Sequence, residues 1–146
     1  MVRILILITL FFIGWNDIKK MEIPNKLNLF LFILGVILKG NNIEIIENSI
    51  LGMGVYVLPF LLIYGYISDI MKEDAIGFGD IKLVLGFGYI LGYRDFAEVY
   101  YFFILAFILA SIYGIIIGII RKNWKIRLSF SPFLIIVFLY FWSSAR

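Results

Sequence analysis

The chain has 146 residues, of which 63% are hydrophobic and 16% charged. Ordinary globular domains are about 45–50% apolar and about 25% charged, so this excess excludes a soluble domain and puts the chain in the membrane class. The formal net charge is +3, with no cysteine and no histidine, which excludes disulfides, thiol nucleophiles, the usual zinc sites and histidine general bases. Carboxylates are left as the acid–base groups.

In chain order, residues 2–16 form an apolar run with Arg3 near its start and Trp15 near its end. No small-residue cleavage signature follows, and further apolar runs do, so it reads as a retained first helix rather than a signal peptide. It ends in Asp17. A polar loop, 17–26, contains Ile23-Pro24-Asn25. Proline holds the residue before it extended, so Ile23 ends any helix running past Asp17, and Asn25 is placed to cap a second helix over 26–38. A polar loop over 39–48 precedes a third run, 49–67, rich in glycine and containing Pro59, residues tolerated in membrane helices.

Residues 68–76 are acidic, with Asp69, Glu73 and Asp74, and lead into Gly77-Phe78-Gly79-Asp80-Ile81-Lys82-Leu83. The fourth run, 81–93, is about 20 Å long as a helix, short of a hydrocarbon core of about 30 Å. Its glycines Gly86, Gly88 and Gly92 allow close helix packing, and a Gly114 to Gly118 spacing in the fifth run, 96–120, does the same. A basic loop, 121–127, precedes a last run, 128–142, with Ser131-Pro132-Phe133 near its start. The expectation is an all-α polytopic membrane protein of six transmembrane helices with short loops, one domain over residues 1–146.

Basic residues set the orientation. Nine of the thirteen lysines and arginines (Lys19, Lys20, Lys26, Lys72, Lys82, Arg121, Lys122, Lys125 and Arg127) fall on the side of Asp17 and Asp80, against Arg3, Lys39, Arg94 and Arg146 on the other. The positive-inside rule then puts both aspartates on the cytoplasmic face of the plasma membrane, with both termini outside. The basic loop 121–127 reads as a contact for anionic lipid. No basic run is long enough to suggest a nucleic-acid partner.

Asp17 and Asp80 thus share a depth while lying far apart in sequence. Two carboxylates brought together in a poorly hydrated site share a proton and titrate as a pair. One can activate a water while the other hydrogen-bonds the scissile carbonyl, the aspartic-protease division of labour. Gly77 and Gly79 can take positive φ and leave room for an extended peptide. Each feature has a plainer reading: Asp80 as a helix cap, Asp17 as an interfacial residue paired with Lys19 or Lys20, and the 69–74 acids as a solvated loop that attracts a basic substrate.

Asp17 followed by Ile23-Pro24-Asn25, then Gly77-Phe78-Gly79-Asp80 leading into Ile81-Lys82-Leu83, then Phe130-Ser131-Pro132-Phe133, resembles the marks of type IV prepilin peptidases in their order along the chain. The resemblance implies a membrane aspartic endopeptidase that removes the short basic leader of prepilin-like precursors just before their hydrophobic helix. It implies Asp17 and Asp80 as the catalytic pair, with Gly77, Gly79, Lys82, Pro24 and Asn25 framing the motif, and no metal or other cofactor. Larger members carry a cysteine-rich zinc insertion and also methylate the new N-terminus. Without cysteines, this chain resembles the short peptidases of tight-adherence pili or of archaeal pilins and preflagellins, and methyl transfer is not expected. The substrate, among pilin, pseudopilin or archaellin, and the oligomeric state stay open.

Two rivals use the same acids. One is a GxGD intramembrane protease of the presenilin and signal-peptide-peptidase kind, which would carry a Tyr-Asp pair where this chain has Asn16-Asp17. The other is a small membrane transporter or assembly subunit that binds protons or ions at Asp17 and Asp80.

Overall fold

The computed structural model describes residues 1–71, 77–122 and 128–144, with side chains left out over 67–71. Within them the chain forms α1 (Val2–Lys20), α2 (Asn25–Lys39), α3 (Ile43–Met71), α4 (Phe78–Leu91), α5 (Phe96–Arg121) and α6 (Ser131–Ser144). The described residues contain helices and no strands. The expected all-α class and six helices are both present. Helices α3, over Ile43–Tyr66, and α5 are long and apolar enough to cross a membrane. The other four have 14 to 19 residues.

Helix α4 is the axis of the bundle. Its glycines leave room for close neighbours: Gly86 faces Leu31 of α2, and Gly88 faces the Gly52 backbone of α3. Accordingly Leu83, Val84 and Phe87 are fully enclosed, with α2, α3 and α6 packed around α4. Helix α1 closes the gap between α2 and α6, and α5 lies along α6. Being enclosed by its neighbours, among them the 29-residue α3, α4 fits a length that alone would fall short of a bilayer.

The closest approach is between α3 and α4, where Gly52 and Gly88 face each other backbone to backbone. A Cβ at Gly88 would lie 2.5 Å from the Gly52 carbonyl oxygen and 2.9 Å from the Tyr56 Cβ. Beyond this contact, Phe87 stacks on Phe138 with ring centroids 4.1 Å apart, locking α4 to α6. Gly114 serves a contact within the chain, with Leu128 beside it.

The outer surface is apolar. On α1, Ile4, Ile8, Phe11, Trp15 and Ile18 point outward and are 48–66% exposed. A water-facing helix would carry polar residues along that stripe, so a hydrocarbon environment is what accommodates it.

Helix boundaries differ from expectation by a few residues at several ends, among them α3, which runs on to Met71, and α4, which starts at Phe78. α1 runs on to Lys20, where Met21 ends it in the left-handed conformation, so Asp17 lies in the last turn instead of after it. α3 starts at Ile43, and its first turns are the polar segment read as loop. The Asn42 side chain accepts the Glu44 N–H at 3.0 Å and satisfies one free donor of that helix start. The acidic loop from residue 72, with Glu73 and Asp74, the Asp69 side chain and residues 123–127 of the basic loop lie outside the described residues.

Candidate active site

Asp17 and Asp80 reach one cavity from different elements. Asp17 comes from the last turn of α1 and Asp80 from the first turn of α4, and both line a cavity of about 320 Å³ with Glu22, Asn25, Gly77 and Lys82. Both acids are nevertheless largely buried, at 6% and 9% exposure. A buried carboxylate requires partners, so the groups that reach each one define the site.

Asp17 is held by the start of α6. Its Oδ2 accepts a hydrogen bond from the Ser129 hydroxyl and a second from the Ser131 backbone N–H at 3.2 Å. Ser131 is the first residue of α6, where backbone N–H groups have no partner within the helix and the helix dipole favours negative charge. Pro132, next in line, has no N–H to satisfy. The pairing of Asp17 with a nearby lysine is not what forms: Lys19 lies over the Trp15 ring, 4.4 Å from its centroid.

Asp80 is the third residue of α4, whose cap is Gly77 rather than Asp80 itself. Its N–H closes the first turn onto the Gly77 carbonyl at 3.0 Å. Its Oδ1 is buried with no hydrogen-bond partner among the described residues. An unpartnered buried carboxylate oxygen is costly and points to a role outside packing.

The Ile23-Pro24-Asn25 segment docks on this turn. Ile23 packs where a side chain on Gly79 would be, since a Cβ there would stand 3.1 Å from the Ile23 Cβ. Pro24 takes the N-cap position of α2 with φ −61° and ψ 127°. The expected cap at Asn25 is therefore displaced by one residue, because the proline already supplies the extended geometry. The Asn25 side chain is released for another bond, and its Oδ1 accepts from Lys82 Nζ at 2.8 Å. The same ammonium lies 4.8 Å over the Phe78 ring.

Gly77 and Gly79 do not take positive φ. Gly77 is extended at φ −66°, and Gly79 lies in the helix, so absence of a side chain is what each contributes. Two residues were missed in the sequence. Asn28 donates from Nδ2 to the Gly79 carbonyl at 3.3 Å, and its spacing of three from Asn25, one helical turn, was the available signal. Ser129 carried no signal beyond lying near Ser131.

Asp80 also borders a second cavity, of about 330 Å³, on its other side. That one is lined mainly by Phe107, Ala110, Leu128 and Phe130, together with Gly77. The two differ in chemistry, charged on the Asn25 and Lys82 side and predominantly apolar on the α5 side. Among the described residues no cluster of three or more acidic side chains is arranged to hold a metal ion.

A helical bundle with two long apolar helices and two largely buried carboxylates on one cavity defines the class: an all-helical membrane-type protein with a paired-acid site. Residues 4–119 match the model of the type IV leader peptidase family, and the chain belongs to that family. It is a type IV leader peptidase-like protease, which displaces the transporter reading. The family is membrane-embedded, in keeping with the two long apolar helices. Neither a search of curated proteins nor one of solved structures found a match.

Proposed function

We propose that the protein is an aspartic endopeptidase that cleaves the basic leader from prepilin-like precursors, using Asp17 and Asp80 as its catalytic pair. The observation that carries this reading is the shared cavity: two largely buried carboxylates, 63 positions apart, line one small space with Gly77 between the flanking cavities. One of the two acids enters the cycle protonated, and which one is a property of the pair. One carboxylate takes a proton from the attacking water while the other donates to the carbonyl oxygen, and the roles reverse as the amine leaves.

The two cavities suit a substrate that changes character at its scissile bond. The basic leader lies on the side of Glu22, and the start of the hydrophobic helix lies against Phe107, Ala110 and Phe130. Gly77, without a side chain, leaves the backbone of the turn open to an extended peptide. Lys82, Asn25 and Pro24 act by holding the turn, with Gly79 making room for Ile23.

In this reading all six helices cross the membrane as one domain, and the basic residues around Lys19, Lys20, Lys26 and Arg121 put the pair on the cytoplasmic face. Neither a metal nor another cofactor takes part. The test is incubation of purified protein in lipid with a precursor carrying a basic leader and an apolar helix. A product whose new N-terminus lies at the leader–helix boundary supports the reading. Cleavage elsewhere, or none across several leaders, contradicts it.

A further inference from the structure

The end of the bundle remote from Asp17 and Asp80 holds a larger cavity, of about 610 Å³. Its position follows from its lining: Arg3 begins α1, Lys39 ends α2, Ile90 and Leu91 end α4, and Trp142 lies near the end of α6. Along α1, Arg3 is about 21 Å from Asp17 at 1.5 Å per residue. The cavity therefore shares no residue with the catalytic pair's surroundings.

Three cations line it, Arg3, Lys39 and Arg94, each from a different part of the chain. These are three of the four basic residues that the positive-inside pattern leaves on this side. Arg94 is partly offset by Glu98, 3.5 Å away. Asp95 is engaged in capping α5, its Oδ1 accepting the Glu98 N–H. Arg3 and Lys39 have no carboxylate within ion-pairing distance among the described residues, so the charge that the described lining brings to the cavity is net positive.

The arrangement is built rather than incidental. Gly92 ends α4 with φ +76°, and a Cβ there would lie 3.6 Å from Lys39 Nζ, so the ammonium is seated over that turn. The Tyr93 N–H donates to the Asn48 carbonyl at 3.0 Å and fixes the same turn against α3. Lys39 and Arg94 line the same cavity beside this turn, and like charges so placed favour an anion between them. The rest of the lining is apolar, with Leu7, Leu38, Leu139 and Trp142, and Leu7 continues onto the exposed outer stripe of α1.

We propose that this cavity binds the phosphate headgroup of an anionic membrane lipid, with Arg3, Lys39 and Arg94 as its cationic ligands and Leu7, Leu38, Leu139 and Trp142 against the start of its acyl chains. Cations that meet hydrocarbon at an aromatic-lined membrane boundary match a phosphate carried on acyl chains better than a free ion. The proposal rests on the membrane-embedded reading and is independent of the catalytic one.

The test is native mass spectrometry of the purified protein with equal amounts of phosphatidylglycerol and phosphatidylcholine. The expected result is preferential retention of phosphatidylglycerol, lowered at least tenfold by the pair Arg3→Gln and Lys39→Gln, which leaves the Arg94–Glu98 contact intact. The charge-keeping pair Arg3→Lys and Lys39→Arg retains the lipid, and the pair Lys19→Gln and Lys20→Gln, at the other end, does not alter retention. Thermal unfolding of each variant separates lost binding from lost fold. Equal loss in the Lys19 and Lys20 variant, or no loss in a folded Arg3 and Lys39 variant, overturns the proposal. Displacement of the lipid by inorganic phosphate at a comparable concentration overturns it too, by assigning the site to a free anion. An Asp80→Asn background keeps the lipid, so failure here and failure of cleavage remain distinguishable.

Discussion

The Ser131 backbone N–H donates to Asp17 Oδ2 at 3.2 Å, joining the first turn of the last helix to the last turn of the first across 114 positions. The Ser129 hydroxyl reaches the same oxygen. The late Phe130-Ser131-Pro132-Phe133 motif thus gains a physical purpose, which is to aim Asp17 into the cavity. A hydrogen bond to a charged group contributes about 1.5–3 kcal/mol. Ser129→Ala removes one such donor and keeps the backbone one, so kcat should fall about tenfold with KM little altered and the fold retained. Steady-state cleavage kinetics alongside thermal unfolding read this, and an unchanged kcat would show that Ser129 does not position Asp17.

The Asn25–Lys82 bond ties the start of α2 to the first turns of α4. Asn25→Ala and Lys82→Met should each slow cleavage, and the double variant should be little worse than the worse single. The coupling expected is about 1 kcal/mol, obtained from a double-mutant cycle on kcat/KM. Strictly additive effects would mean that the two side chains act separately.

Two glycines make opposite predictions. At Gly88 a side chain meets the Gly52 backbone, which cannot yield without parting α3 from α4. Gly88→Val should cost about 3 kcal/mol or more and lower the midpoint of unfolding in detergent. At Gly77 the conformation is ordinary and the nearest atom is Asp80 Oδ2 at 3.5 Å. Gly77→Ala should therefore fold like the parent protein yet cleave more slowly, because the methyl group intrudes where the peptide lies. Loss of fold at Gly77, or tolerance at Gly88, would reverse these assignments.

Chelation gives a further check. With carboxylates doing the acid–base work, millimolar EDTA should leave the cleavage rate unchanged. A loss restored by added divalent cation would require metal-assisted hydrolysis instead.

The periodic and apolar parts of the chain were legible in the sequence. Six helices follow from apolar runs separated by polar or proline-containing segments, whereas the burial of α4 was not legible, since α5 is at least as apolar and largely exposed. Helix ends were less legible where polar residues continue a helix beyond its apolar stretch, as at Lys20 and at Ile43, because hydropathy reports environment and not backbone conformation. Asn25 shows the limit at a single position. Its type suits a cap, but Pro24 takes that place and a lysine 57 positions away claims the side chain. The pairing of Asp17 with Asp80 could be foreseen from shared depth, whereas Ser129 and Asn28 could not be ranked by residue type alone, since their partners come from distant helices.

The most direct test compares cleavage of one precursor by the parent protein, Asp17→Asn and Asp80→Asn in the same lipid. Asparagine keeps the size of each side chain and removes its acid–base function. Each single substitution should abolish cleavage while the purified protein keeps its unfolding midpoint within a few degrees. A folded variant of either kind that still cuts at the parental rate would contradict the catalytic pair.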